Sequence, residues 1–353
     1  PANFKLSAYM LEPVGSGPYR FESFSKERNG FITRYHLVAN EKYHKKQPFI
    51  KDFYFRFFET PGELTQAYRL RQIHGFGALS PLEDRFSPSN YTAVEIIPMP
   101  RYYAIFLNPL TNPILKDKDI RKALDLAIDK NAIAKEFFGA ETLAIESPLD
   151  INDVVKNATT STLNRYDIEE AKKIIAKSKL KEKAITLTIP QIPFFEKIAE
   201  RIKDSWLSIG IHTVTITSFN EEMLADTILK TRNYEALFFG NILENQSDLF
   251  PFWHSSQRFS PGLNLSLYQN QDVDRLLETV RQKNMEADVL TVNLQKIKTL
   301  IQNDTPAIFL FTLPYTYIHT NRLQGISAAS ITNLAERFKN SNLWNITRVR
   351  VLQ

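Results

Sequence analysis

The 353-residue chain contains no cysteine. This absence excludes disulfides, thiolate metal sites and cysteine nucleophiles, although it does not fix the compartment in which the protein works. No apolar run approaches the roughly 18 residues that a membrane-spanning helix needs, and no signal-peptide pattern is visible. The excess of one sign of charge is also small. The chain has 44 basic and 39 acidic residues, which gives a net charge of +5. The longest basic cluster, His44-Lys45-Lys46, predicts a solvated face rather than a nucleic-acid patch.

The sequence also lacks the usual motifs of an assembled active site. None of its six histidines pairs at a metal-ligand spacing such as H-E-x-x-H, and no G-x-S-x-G element occurs. The adjacent carboxylates at 169–170 and 221–222 stand in predicted first turns of helices, where they complement the helix dipole. The pattern therefore favours a binding protein over an enzyme, and it indicates no cofactor.

The chain is longer than one ordinary core, and its order of elements predicts a mixed α/β architecture in two lobes. Asn29-Gly30 predicts a two-residue hairpin turn. Thr60-Pro61-Gly62-Glu63 reads as a capping box that opens a helix stopped by Gly75. Between 184 and 239 a strand, a helix over 194–209, a strand over 211–217, a helix over 221–230 capped by Asn220 and a buried strand follow one another.

The stretch 234–268 is the most informative one. A buried strand, Tyr234 to Phe239, is closed by Gly240, and we predict a polar turn from Asn241 to Ser247. Asp248 and an aromatic group of Phe250, Phe252 and Trp253 follow, next to His254. A long loop with this many aromatic rings and a central carboxylate needs either core packing or ligand packing.

Several segments carry a family resemblance. These are PVGSGPYR at 13–20, DIRKALDLAIDKNAI at 119–133, the FWHSS of 252–256 with Asn264, and PAIFLF at 306–311. Together they resemble the family 5 extracellular solute-binding proteins, which are the oligopeptide, dipeptide and nickel receptors of ABC importers. The resemblance spans nearly the whole chain, with its motifs in order from Pro13 to Phe311.

The resemblance implies a periplasmic-binding-protein-like α/β fold of the class II type, cluster C, with mixed sheets and a hinge. Lobe I would comprise 1–103 and 313–353 and be incomplete, and lobe II would comprise 104–312. The hinges would lie near Pro100–Tyr103 and Thr312–Tyr315.

The implied function is peptide binding in an interlobe cleft, followed by delivery to the permease subunits of an ABC importer. The resemblance further implies an extracytoplasmic monomer that binds no nucleic acid. A signal peptide or lipoprotein cysteine, which would be the protein's sole membrane anchor, would lie in a preceding segment.

The resemblance also suggests site residues. In dipeptide-binding members an aspartate of the loop holds the ligand's ammonium group, and Asp248 is the candidate here. A salt bridge between Asp248 and an arginine or lysine is the alternative. His254 is either a packing residue or a ligand or metal contact, and Trp253 is either core or pocket wall. The full set of candidate ligand-binding residues is Asn241, Asp248, Phe252, Trp253, His254 and Asn264.

Two departures from the family pattern bear on the ligand. The segment Ile189 to Pro193 lacks the arginine that anchors the ligand's carboxylate in dipeptide-specific members, and Asn241 stands where a tryptophan is often found. A fixed dipeptide register is therefore doubtful, and longer or different ligands are favoured. Two other functions stay open: the ligand-sensing domain of a transcriptional regulator, and a peptide hydrolase on the same scaffold.

Overall fold

The chain divides into two compact units in the computed structural model. Unit 1 is Pro1–Pro98 with Tyr315–Gln353, and unit 2 is Met99–Pro314. Their assignment to the predicted lobes, whose boundaries were placed a few residues away, stays a prediction. Among the described residues no helix combines the length and apolarity needed to cross a membrane. The structure describes residues 10–78, 89–138, 144–151, 165–178, 184–220, 223–243, 248–282, 285–327 and 330–347.

Unit 1 begins with an antiparallel sheet of β1 (Tyr19–Lys26), β2 (Ile32–Ala39) and β3 (Asp52–Arg56), in that order. The predicted hairpin is present, but its connection is wider than the two-residue turn we expected. Glu27 N donates to the Phe31 carbonyl, so the loop spans 27–31. Gly30 lies inside it with φ of 93°, a backbone region that glycine adopts without strain.

Helix α1 (Pro61–Arg69) starts as the sequence predicts, because the Thr60 hydroxyl accepts the amide of Glu63. The prediction that it runs to Gly75 is wrong. The helix ends at Arg69, and Arg71 adopts the left-handed φ of 58° that turns the chain away. Gly75 instead begins β4.

The second sheet of unit 1 is antiparallel and joins segments from the two ends of the chain. Its order is β4 (Gly75–Ala78), β11 (Tyr315–Thr320) and β5 (Thr92–Ile97). A two-residue pairing of β12 (Leu323–Gln324) with β13 (Asn345–Ile346) follows towards the C-terminus.

Unit 2 is built on a mixed five-stranded sheet in the order β10–β6–β9–β7–β8. Strand β7 runs parallel to both of its neighbours, whereas β6 is antiparallel to both β9 and β10. This is the mixed α/β arrangement that the sequence predicts. The strands are β6 (Arg101–Leu107), β7 (Ala184–Pro190), β8 (Thr213–Phe219), β9 (Ala236–Ile242) and β10 (Ala307–Phe311).

Helices pack on both faces of this sheet, and each face carries its own buried apolar cluster. The predicted cap at Asn220 is present, because its Oδ1 accepts the Met223 amide at 3.0 Å, and Asp129 and Asp167 accept the Ala132 and Glu170 amides in the same way. A π-helical segment, Leu224–Leu229, follows Asn220. The α-helices of unit 2 in the described residues are α2 (Lys118–Leu126), α3 (Lys130–Phe138), α4 (Ile168–Lys177), α5 (Pro193–Ser208), α6 (Phe250–Trp253), α7 (Gln271–Val280) and α8 (Ala287–Asp304).

The structure corrects the predicted end of the strand at 234–239. Strand β9 continues through Gly240 to Ile242, because β6 supplies partners as far as Arg101. Asn241 is therefore a strand residue and not the first residue of a turn. Gly240 does not end the strand but makes room for a ring, since a Cβ there would lie 2.9 Å from Cε1 of Tyr103.

Candidate functional site

One edge of the unit 2 sheet gathers the carboxyl ends of three strands. Strands β7, β8 and β9 run in the same direction and end at Pro190, Phe219 and Ile242. Since β6 is antiparallel to β9, it begins at this same edge, with Arg101 opposite Ile242. In open α/β sheets, ligands bind outside the carboxyl ends of the strands. We call this region the carboxyl edge.

Strand β9 has a complete partner on one side at the carboxyl edge and an incomplete one on the other. Its register with β6 covers seven residue pairs, from Ala236 to Ile242. Its register with β7 covers two pairs, and the last is Leu237 with Thr188. Among the described strands, none pairs with the β7-facing side of β9 beyond these two.

The hydrogen bonds at the two ends of the β6–β9 ladder show which backbone groups this leaves open. Asn108 N donates to the Glu235 carbonyl at 2.8 Å, and Leu243 N donates to the Pro100 carbonyl at 2.7 Å. Because hydrogen-bonded pairs alternate in an antiparallel ladder, odd-numbered residues of β9 bond to β6. The amide and carbonyl groups of Gly240 and Ile242 therefore point to the unpaired side, which we call the open edge of β9.

Asn241 lies between Gly240 and Ile242, and its side chain is hydrogen-bonded to β6. Its Nδ2 donates to the hydroxyl of Tyr102 at 3.1 Å, and both side chains are buried. Burial raises the pKa of Tyr102, while the hydrogen bond from Asn241 acts in the opposite direction. The contact fixes the backbone position of Asn241 and leaves little of its side chain exposed. Its predicted ligand contact stays a prediction.

Sequence reasoning missed Arg101, which opens β6 at the carboxyl edge. Its side chain is 5% exposed, and its Nε donates to the Leu313 carbonyl at 2.8 Å. The Thr312 hydroxyl donates to the Arg101 carbonyl at 2.6 Å, so the first residue of β6 is bonded to the segment after β10 in both directions. Burial lowers the pKa of the guanidinium. A charged residue heading the apolar run RYYAIFL was the signal that could have revealed it.

Asp248 is engaged within the protein. One carboxylate oxygen lies 3.4 Å from Nη2 of Arg281, and the other accepts the amide of Phe250 at 3.2 Å. Its side chain is 25% exposed. The salt bridge considered as an alternative is thus present, and a ligand ammonium would have to compete with Arg281. The ammonium-binding role stays a prediction.

His254 is packed rather than open. Its ring stacks on Phe250 with centroids 4.1 Å apart, and its Nδ1 accepts the amide of Ser256 at 3.1 Å. The proton of the neutral ring therefore lies on Nε2, which faces Glu278 at 3.4 Å and Asp274 at 3.9 Å. No group of three or more metal-ligating side chains is found within the described part of the chain.

The other candidates shape the loop. Trp253 is 1% exposed and packs between Phe106 and Phe309, with Phe252 half-buried beside it. Asn264 is fully buried, donates to the carbonyls of His254 and Tyr268 and accepts the amide of Tyr268. The loop is thus brought together by its own hydrogen bonds, and ligand contacts by these residues remain predictions.

A buried charge cluster lies elsewhere in unit 2 and was not predicted. The ammonium group of Lys130 contacts Asp125 at 2.8 Å and Glu146 at 2.5 Å, and all three side chains are at most 4% exposed. Arg165 approaches the far oxygen of Asp125 at 3.9 Å. Burial raises the pKa of Glu146 to about 7, against the opposing effect of Lys130.

Comparison with known proteins agrees with this fold. Residues 1–260 match the family described as bacterial extracellular solute-binding proteins, family 5 Middle. The match covers well over half of the chain, so the protein belongs to the family 5 solute-binding proteins. This is a family of binding proteins, and the resemblance inferred from the sequence is confirmed.

The chain spans only part of the length of the proteins that it matches. The chain is 22% identical over 323 residues to the oligopeptide-binding protein AppA of Bacillus subtilis, which is 85% of this chain and 56% of that protein. The structure of that AppA in complex with a nonapeptide superposes with a TM-score of 0.75 at 19% identity, covering 98% of this chain and 70% of that one. NikZ of Campylobacter jejuni in complex with Ni(L-His) gives a TM-score of 0.74 at 18% identity, with coverages of 96% and 69%. These similarities establish the predicted solute-binding-protein fold.

Proposed function

We propose that the protein is the substrate-binding component of an ABC importer and that it binds peptides. The observation that carries this proposal is the open edge of β9, where no described strand pairs with the backbone groups of Gly240 and Ile242. An extended peptide laid along this edge would complete the ladder as an added strand. Family membership supports the same role.

Recognition through main-chain hydrogen bonds suits a ligand of variable sequence. Every non-proline residue carries the same donor and acceptor, so the edge itself does not depend on the ligand's side chains. No arginine stands in the segment before α5 to fix a ligand carboxylate, and Asp248 already contacts Arg281. The site therefore suits peptides longer than a dipeptide better than it suits dipeptides held at both termini.

The partners and location follow from this role. The protein would hand the peptide to the permease subunits of the importer and would work outside the cytoplasm, as its family does. It would act as a monomer and return the peptide uncleaved, without catalysis or a cofactor. Binding between two lobes and hinge closure stay predictions from the sequence.

Native mass spectrometry tests the proposal. The purified chain is measured before and after mild unfolding and refolding, and then with a mixture of tri- to hexapeptides. We expect a discrete added mass that is released on unfolding, returns with the mixture, and sequences as intact peptide. A micromolar complex corresponds to about −8 kcal/mol, which several backbone hydrogen bonds and apolar burial can supply.

Two outcomes would contradict the proposal. A protein that refolds and still takes up no peptide would remove peptide binding from this chain. Recovered peptide that has been cut would replace the binding role with hydrolysis.

A further inference from the structure

Apolar side chains lie beside the open edge of β9, on one face of the sheet. We call Tyr103, Ile192, Phe194 and Ile242 the apolar ledge. Ile192 is 45% exposed and Ile242 is 41% exposed, both high values for isoleucine. The rings of Tyr103 and Phe194 lie 6.1 Å apart, centroid to centroid, and Phe194 is only half-buried.

The strand register places Tyr103 and Ile242 on the same face of the sheet. Tyr103 lies opposite Gly240, and its ring covers that glycine. Ile242 is two residues further along β9, so its side chain points to the face that carries the Tyr103 ring. Strand β7 ends at Pro190, and α5 begins three residues later with Phe194 in its first turn. The ledge thus lies where an added strand would run.

The choice of residue at the start of α5 gives independent support. Ile192 occupies the N-cap, a position that favours Ser, Thr, Asp or Asn because their side chains accept a free amide. Isoleucine makes no such hydrogen bond here. The position therefore forgoes helix stabilisation and exposes apolar surface, which folding alone does not explain.

Three charged residues lie close in sequence to the ledge residues, and they differ in how far they are already engaged. Arg101 is buried and bonded to the carbonyls of Leu313 and Pro314. Glu196 lies in the first turn of α5, where its negative charge complements the helix terminus. Lys197 follows directly in the same helix and is exposed to solvent.

We propose that the apolar ledge is a specificity subsite that takes one uncharged aliphatic or aromatic side chain of the bound peptide. This inference rests on the proposed function. Side chains of neighbouring strands lie side by side on each face, so the ligand residue next to Ile242 on the ledge face packs against it. A lysine or glutamate at that position would lose hydration against these apolar side chains.

Isothermal titration calorimetry with a pentaalanine series tests the subsite. Leu, Phe, Lys or Glu replaces alanine at each position in turn. We expect one position at which Leu and Phe bind about 10-fold or more tightly than Lys and Glu, the discrimination typical of an apolar pocket. The other positions should tolerate all four residues within about 3-fold.

Variants locate the preference. Ile242→Lys should remove it, and Ile192→Lys provides a second test if the first variant folds poorly. The control is Leu207→Lys, which introduces the same charge at a side chain of α5 that is 38% exposed. It should bind as the wild type does.

The outcomes separate the subsite from the function. Binding without any positional preference, or a preference that survives both lysine variants, overturns the ledge while peptide binding stands. No binding of any peptide to the wild type overturns both proposals.

Discussion

The two units of the molecule build their interiors differently. In unit 2 every residue of β6 is buried, and large apolar clusters cover both faces of the sheet. In unit 1 none of the residues of β1, β2 and β3 is buried, and side chains on these strands are half-buried at most. A sheet covered on both faces removes more apolar area from water per residue, so unit 2 should have the greater intrinsic stability.

Unit 1 depends more on aromatic rings placed around a cation. The guanidinium of Arg337 lies 4.1 Å from the ring centre of Phe338 and 5.2 Å from that of Tyr315. Burial lowers its pKa, and the nearby tyrosines Tyr315 and Tyr317 oppose that effect. Such contacts are individually modest. The comparison therefore teaches that unit 1 should open before unit 2 does.

The largest effect is expected in the core of unit 2. Trp253→Ala removes a wholly buried indole that packs against Phe309 at 5.6 Å, so we expect a loss of about 3–5 kcal/mol in the free energy of unfolding. Chemical denaturation followed by hydrogen exchange measures it, with the loss confined to unit 2. Phe57→Ala in unit 1, where the ring is 47% exposed, is the control and should cost less than about 1 kcal/mol. Equal losses of unfolding free energy in the two variants would contradict the difference between the units.

The buried carboxylate of unit 2 should make that unit sensitive to pH. The pKa of Glu146 is raised from 4.5 to about 7. The folded state therefore retains a proton that the unfolded chain releases, and this stability is fully present below pH 4.5. It is lost as pH rises to about 7, amounting to at most about 3 kcal/mol.

Glu146→Gln isolates this effect, because glutamine stays neutral at every pH. The difference in unfolding free energy between wild type and variant should change across the window from pH 4.5 to about 7 and level off above it. Asp125, Lys130 and Arg165 face the group and remain in both proteins. A difference that does not vary with pH would show that folding leaves the pKa of Glu146 unchanged.

A smaller effect is expected in unit 1. Arg337→Met keeps much of the apolar volume but removes the charge, so we expect a loss of about 1–2 kcal/mol. Exchange rates of β11 amides report the loss, since Tyr315 and Tyr317 contact the guanidinium. Slow exchange in unit 2 should not change. A global loss would mean that the two units do not open independently.

The smallest effect on stability concerns Asp248. Its pair with Arg281 is partly exposed, so Asp248→Ala and Arg281→Ala should each cost less than about 1 kcal/mol. Their effects on peptide binding should differ if Asp248 holds a ligand ammonium. In that case Asp248→Ala weakens binding by about 2–5 kcal/mol, whereas Arg281→Ala does not. Unchanged affinity in both variants would remove Asp248 from the site.

Features that depend on residues close in sequence could be predicted, whereas features that depend on distant residues could not. The caps at Thr60 and Asn220 follow from side chains within three residues of the amides they bind, and both are present. The end of β9 depends on β6, more than 130 residues away, so Asn241 was placed in a turn when it belongs to a strand. The sequence predicted only that an arginine or lysine could pair with Asp248. It could not identify Arg281, because the tertiary fold brings that residue close.

The carboxyl edge shows the same limit. The sequence drew attention to the stretch 234–268, which contains the end of β9, but not to the position that each residue takes in the fold. The open edge of β9 depends on where the β7 ladder stops, and the Arg101 contacts depend on a segment more than 200 residues later. Neither leaves a periodic signal in the chain.

Residue-resolved amide exchange by NMR, with and without a saturating peptide, tests the central claim most directly. In the free protein the amides of Gly240 and Ile242 should exchange faster than those of Phe239 and Asn241, which bond to β6. With peptide bound, Gly240 and Ile242 should slow by about 10-fold or more. Saturation by peptide with no change at these two amides would show that the ligand does not bind at the open edge of β9.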